Sequence, residues 1–398
     1  MAASFLTGKS LAAATMAVLT LVIGCGTGRG VNATISPAPG HTTSAQARLA
    51  SRGPAAPATA LTKRANFLTS VSCVSVSVCV AVGSYYSAAT GPRKTLAASW
   101  EGRGWRAEFP PSRGRDSQLT SVSCTAPMAC VAVGLPAVAR TPKGWSVTTG
   151  AGAVSSVSCA QAHFCMAVGV QPPRRLAAAR FDGRGWRVES MPGPLRAPDD
   201  ITLAGISCTS ASFCVAVGDA TSGATARPSP RFRDRTLAEA WNGSRWRAEY
   251  PPSPSRQSEL SGVSCTSPQF CIAVGASGSG QRALAERWNG TSWSVQRTPS
   301  VSGTGYTALT AVSCYTAVSC TAVGTYDVGA FGIAEHWNGH DWALERLPSP
   351  TGQPGVDPVG VSCASATACI AVGTSAAETL AEAWNGTVWT VEPTPDPA

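Results

Sequence analysis

The chain has 398 residues, with Lys+Arg 31 against Asp+Glu 22, a formal charge of +9, and only 13% charged residues. Glycine (40) and proline (29) are abundant beside many alanines, serines and threonines, a composition that excludes an architecture of long amphipathic helices and suits short strands joined by turns. A chain this long is ordinarily two or three domains, but internal repetition can make one body of it; no helical period runs through it after residue 30.

The N-terminus reads as an export signal. Lys9 precedes an apolar run over residues 11–23 that is short for a transmembrane helix. The run ends in Val22, Ile23, Gly24 and Cys25, which resemble the lipobox of bacterial lipoproteins, whose cysteine is lipidated after cleavage. On that resemblance residues 1–24 are a lipoprotein signal peptide and Cys25 carries acyl chains that hold the mature protein at the outer face of the membrane or in the wall. The alternative is an ordinary signal cleaved later, after Ala33, and a secreted product. Residues 25–66 continue in Gly, Ser, Thr, Pro and Ala without a periodic apolar face, so they read as a flexible tether of roughly 35 Å r.m.s. span.

From residue 67 to 398 one phrase recurs seven times, as in "VSCTSPQFCIAVG". Its cysteines pair as Cys73 and Cys79, Cys124 and Cys130, Cys159 and Cys165, Cys208 and Cys214, Cys265 and Cys271, Cys314 and Cys320, Cys363 and Cys369. Successive pairs start 51, 35, 49, 57, 49 and 49 residues apart, a period proper to propeller blades. Each unit holds a strand ending VSC or ISC, a tight loop, a strand such as "CIAVG", a third such as "ALAERW" and a fourth such as "SWSVQR". Alternation supports the strands: Leu284, Glu286 and Trp288 share one face, Ala285 and Arg287 the other. The third and fourth strands are joined by "GRG" or "NG" between aromatics, a hairpin signal because glycine supplies positive φ. The same dipeptide makes glycosylation sequons at Asn242, Asn289 and Asn385, for which the turn is the preferred reason. The fold class is therefore all-β: a seven-bladed β-propeller of four-stranded antiparallel blades.

The repeated VSCxxxxxC, AVG and WNGxxW phrases resemble those of secreted or lipid-anchored actinobacterial propeller-like proteins, and the blade order is similar to kelch and Asp-box repeats. The resemblance covers residues 68–395 and implies a propeller; it brings no catalytic residues. Blade two departs from the pattern, with a missing third-strand Trp and little room between Gly134 and Trp145, so a ragged outer edge is expected there. No C-terminal strand is left over to complete blade one, which leaves ring closure open.

Seven identical cysteine spacings in an exported chain point to one disulfide per blade; CxxxxxC is not a usual zinc spacing and histidines are scarce near it. The tryptophans recur at two blade positions, Trp100, Trp241, Trp288, Trp337 and Trp384 ending third strands and Trp105, Trp145, Trp186, Trp246, Trp293, Trp342 and Trp389 beginning fourth strands, which reads as packing rather than a ligand platform. Of the histidines, His41 lies in the tether, His163 in blade three, His336 and His340 in blade six. Non-adjacent blades make a metal cluster or nucleophilic dyad improbable, and no cofactor is expected. Glu239, Glu286, Glu335 and Glu382 repeat at one third-strand position, where pairing with a cross-strand Arg such as Arg247 is expected rather than glycosidase chemistry.

Strand alternation places the cysteine loops and NG turns on one uniform face and the remaining loops on a varied one. The varied face collects Arg93, Lys94, Arg113, Arg115, Arg227, Arg231, Arg233 and Arg235, together with Arg174, Arg175, Arg196, Arg256 and Arg282. This implies an anionic wall polymer or a surface protein as partner, besides the membrane through the anchor. Nucleic acid is not expected, and the chain reads as a monomer. Binding rather than catalysis is the expectation. The alternatives are a glycan-acting propeller enzyme using Asp199, Asp219 or Asp327, a structural wall protein, or arginines that serve only solubility.

Overall fold

A computed structural model describes residues 66–397, apart from 89–90, 195–199, 223–232, 279–281, 300, 302–304, 328–329, 351–353 and 377. Cys25, Arg196, Asp199, Arg227 and Arg231 lie outside the described residues. Among the described residues twenty-eight strands form seven sheets of four, each in simple sequential order. Blade one is Phe67–Ser75, Val78–Tyr86, Arg93–Trp100 and Trp105–Glu108. The first strand of each blade lies against the first strands of its two neighbours, Val356–Ser365 of blade seven meeting Phe67–Ser75 of blade one. First strands therefore surround the axis and fourth strands form the rim of a seven-bladed propeller.

The VSC phrase has a double role. Its cysteine stands directly opposite its partner across the first hairpin, as in Cys265 and Cys271, with Cα atoms 3.9 to 4.0 Å apart in all seven disulfides. Its serine reaches the next blade: the Cys124 amide donates to Ser72 Oγ (3.0 Å), Cys159 to Ser123 (2.9 Å), Cys208 to Ser158 (2.9 Å) and Cys265 to Ser207 (2.9 Å). Cys314 donates to Ser264, Cys363 to Ser313 and Cys73 to Ser362, each at 2.9 Å. Seven bonds close a complete ring, satisfying an inner-strand amide that the blade's own sheet leaves unpaired.

In six of the blades the glycine of the AVG phrase faces a bulge in the first strand, visible as the register shift between Leu260 and Gly262 opposite Gly275; in blade three Gly169 instead faces the segment before the first strand, near the Ala153 carbonyl. A Cβ on Gly275 would lie 2.0 Å from the Glu259 carbonyl oxygen, and one on Gly83 would lie 1.9 Å from that of Phe67. Only glycine permits so close an approach.

Seven apolar clusters each fill one seam between blades, for example Val215, Val217 and Ala238 of blade four against Leu260, Leu284 and Trp288 of blade five. Closure uses the same packing and no exchanged strand. Leu68, Val71 and Leu96 meet Ile370, Val372 and Ala381, and Asn66 Nδ2 donates to Asp396 Oδ1 (3.2 Å) and to the Pro397 carbonyl (3.4 Å). Asp396 also accepts from the Thr379 amide and hydroxyl at 3.0 Å each, so the C-terminal tail clasps the start of blade one.

Blade two has all four strands, but its third, Val138–Thr141, is only four residues long and pairs with the second at three positions, so the outer edge is cut short as the missing residues between Gly134 and Trp145 imply. Arg140 takes the place of the missing Trp: its guanidinium lies 6.0 Å from the Trp145 ring centroid and pairs with Glu108 of blade one at 2.5 Å. The Trp145 indole donates to the same carboxylate at 2.6 Å.

Candidate functional site

The two faces differ as strand alternation requires. On the uniform face the tip of the cysteine loop packs on the turn glycine of its own blade in every blade but the second, so that a Cβ on Gly183 would lie 2.3 Å from His163 Nδ1. The turn glycines have φ of 78° to 100°. Each turn asparagine accepts from the residues ahead of it, as Asn289 Oδ1 does from the amides of Thr291 and Ser292 at 2.9 Å each; the side-chain oxygen is committed to the turn. The aromatic pairs of third and fourth strands clasp this hairpin at centroid separations of 5.2 to 5.8 Å. The tryptophans are thus scaffold. His336 stacks on Trp384 of blade seven at 4.6 Å and shares a 3.0 Å hydrogen bond with Thr321, while burial lowers its pKa against the nearby Glu345.

On the varied face two clusters of arginines stand out, in blades four and one, while Arg174 and Arg175 of blade three and Arg282 of blade five are exposed outside them. In blade four, Arg233, Arg235 and Arg256 line an open groove of about 460 Å³ with Pro251, Ser253, Pro254 and Ser255. The strand Arg233–Trp241 carries two of these cations, and the loop that leads into blade five carries the third. The loop is fixed by the Asp234 amide donating to the Arg256 carbonyl (2.9 Å) and by Ser255 Oγ donating to the Gln257 carbonyl (2.6 Å). Asp234 is engaged by Thr221 Oγ1 at 2.5 Å. In blade one, Arg113 and Arg115 are exposed on the corresponding loop, Lys94 is half-buried, and Arg93 is held by Tyr86, its Nη2 3.0 Å from the phenol oxygen, and by Gln118. Arg93 therefore buttresses the loop more than it presents charge. Near the axis, inner strands of blades five and seven bring Glu259 and Asp357 close to Tyr306, whose pKa rises through burial and then through those two charges. The positive charge sits outward on this face and the negative charge inward.

Of the candidate acids, Asp219 accepts from Thr202 Oγ1 and Asp327 occupies a turn with φ of 57°. Among the described residues no group of three or more His, Cys, Asp or Glu is placed to hold a metal. The repeated glutamates behave differently from expectation. Glu239 stands opposite Ala248, whereas Arg247 stands opposite Ala240, so the two side chains point to opposite faces of the sheet and cannot pair. Arg247 instead meets Glu249 at 2.7 Å. Glu239, Glu286, Glu335 and Glu382 are fully buried in the seams with no completed hydrogen bond to either carboxylate oxygen. Burial raises Glu286, Glu335 and Glu382 to about 8 and Glu239 to about 7, where the Gly193 amide pulls the other way and Glu249 adds to the rise.

No family model and no curated protein matches the chain. Solved structures do. YCF48 from Cyanidioschyzon merolae is 12% identical over 81% of this chain and 98% of its own, with a TM-score of 0.53. A chain of the mitotic checkpoint complex is 10% identical over 85% and 99%, at 0.54, and the Myceliophteria thermophila Cps50 (Swd1) propeller domain is 11% identical over 80% and 96%, at 0.53. The likeness is one of fold. Seven disulfides within that fold belong to an oxidising compartment.

Proposed function

We propose that the protein is a binding module displayed outside the cell, tethered through Cys25, whose varied face docks an anionic component of the wall. The observation that carries this reading is the blade-four groove, where Arg233, Arg235 and Arg256 converge on one open concavity. Guanidinium groups match carboxylate and phosphate oxygens in bidentate geometry, and a chain at +9 raises the local concentration of polyanions.

The test is binding of the full oxidised chain to isolated cell walls and to defined acidic and neutral glycans at low and high salt. Saturable binding should weaken as salt rises, because ion release drives polyanion association. The Arg233→Ser/Arg235→Ser double variant should lose about tenfold or more in affinity, the scale of losing charge-assisted hydrogen bonds. Binding that ignores salt, or that survives the double variant intact, would overturn the reading.

A further inference from the structure

The groove loop is not unique. Residues 108–117, "EFPPSRGRDS" in blade one, repeat as "EYPPSPSRQS" at 249–258 in blade four. The two copies are held by the same bonds. Thr95 Oγ1 donates to the Pro110 carbonyl (2.6 Å) and the Thr95 amide to Ser112 Oγ (3.1 Å); Thr236 does the same to Pro251 (3.2 Å) and Ser253 (3.2 Å). The Arg93 amide donates to the Arg115 carbonyl (3.0 Å) as Asp234 does to Arg256 (2.9 Å). Parallel bridges join Arg93 to Asp116 and Asp234 to Gln257. This register puts Arg115 where blade four has Arg256, and Lys94 where it has Arg235.

Each copy also displays a large aromatic immediately before the prolines, and each is exposed: Phe109 at 60% and Tyr250 at 57%. Among the other described residues of the varied face aromatic rings are packed, as with Tyr326 stacked on Phe331 at 5.3 Å. Phe109 leans on Tyr85 at 5.4 Å, which orients its ring without covering it. A ring beside a pair of cations suits a ligand that offers an apolar face and an anion in the same repeat unit, which a sugar acid does. Blades one and four lie nearly across the ring from each other, with two blades between them on one side and three on the other, and both copies open on the same face.

Resting on the reading of this face as an anion-binding surface, we infer that it carries two equivalent stations, Phe109 with Lys94 and Arg115, and Tyr250 with Arg235 and Arg256, and that its ligand is an extended acidic polysaccharide spanning both. A short acidic sugar engages one station at a time. A long one engages both, and the second contact is intramolecular, so affinity rises by about 10²- to 10⁴-fold without any new kind of contact.

The experiment titrates the full oxidised chain with a galacturonic acid trimer, long polygalacturonate, inorganic polyphosphate, neutral dextran and poly(dT). The expected result is weak binding of two trimers per chain and polygalacturonate binding at least a hundredfold tighter. Lys94→Ser/Arg115→Ser and Arg235→Ser/Arg256→Ser should each drop polygalacturonate to near trimer affinity and leave one trimer bound. Phe109→Ala and Tyr250→Ala should weaken polygalacturonate by about tenfold while leaving polyphosphate unchanged, and Phe109→Tyr and Tyr250→Phe should restore it. Equal affinity for trimer and polymer, or a blade-one variant without effect beside a blade-four variant that abolishes binding, overturns the two-station inference and leaves the single groove standing. Tighter binding of poly(dT) than of polygalacturonate overturns the polysaccharide. No binding of any anion overturns the binding module itself.

Discussion

The buried glutamates give the sharpest handle on the scaffold. Glu286, Glu335 and Glu382 sit in the seams between successive blades, each opposite an alanine of its own second strand, and none completes a hydrogen bond. The folded chain holds their protons until about pH 8, while an unfolded glutamate releases its proton near 4.5. Between those values the unfolded state binds fewer protons, so stability falls as pH rises across that window and levels off above it. A shift of this size corresponds to roughly 5 kcal/mol per group as an upper bound; since a whole domain is stable by only about 5–15 kcal/mol, the seams should open locally before all three ionise. The perturbation is Glu286→Gln/Glu335→Gln/Glu382→Gln, which keeps shape and removes the titration. The position accepts neutral residues, because Ala98, Val138 and Ala179 stand opposite the same second-strand alanine in blades one to three. Urea midpoints measured from pH 5 to 9 should fall steeply for the unsubstituted chain between pH 5 and 8 and stay nearly flat for the triple variant. Parallel pH profiles for the two proteins would refute the burial argument, and the single Glu286→Ala change checks that a poorly folded triple variant is not the cause.

Three further outcomes probe the ring. Gly275→Ala should destabilise the chain by about 1–3 kcal/mol in urea unfolding, since its Cβ meets the Glu259 carbonyl at 2.0 Å and the bulge must shift. Ser264→Ala removes the acceptor of the Cys314 amide and should cost about 1–3 kcal/mol, the range for a buried donor left unsatisfied; Ser264→Thr should restore most of it. Asp396→Ala releases both Asn66 and Thr379, so amide exchange should quicken in blade one's first strand and blade seven's third strand before it changes in blades three to five.

What could be read from the sequence was whatever finds its partner within a few residues. The cysteine pairs close across one hairpin, the NG turns satisfy themselves through their own asparagine, and period-2 alternation fixed which strand positions face a seam; all of these agree with the structure. What could not be read depends on a neighbour about fifty residues away. The serine of VSC carries no visible role in the sequence because its partner amide belongs to the next blade, and Glu239 reads as half of an ion pair because Arg247 is near in sequence although it projects from the other side of the sheet. Ring closure was illegible for the same reason: no strand crosses the seam, and the work is divided among small apolar side chains and the tail residue Asp396. Repetition itself hid the last feature. Fourteen cysteines and a regular tryptophan pattern draw the eye to what all blades share, whereas a binding surface resides in what only some of them carry, and the aromatic, diproline and arginine loop occurs in two. A scaffold of seven near-identical seams supplies rigidity without specificity, so departures from the repeat are where recognition can be built, and the two matching departures here present the same chemistry toward the same side of the ring.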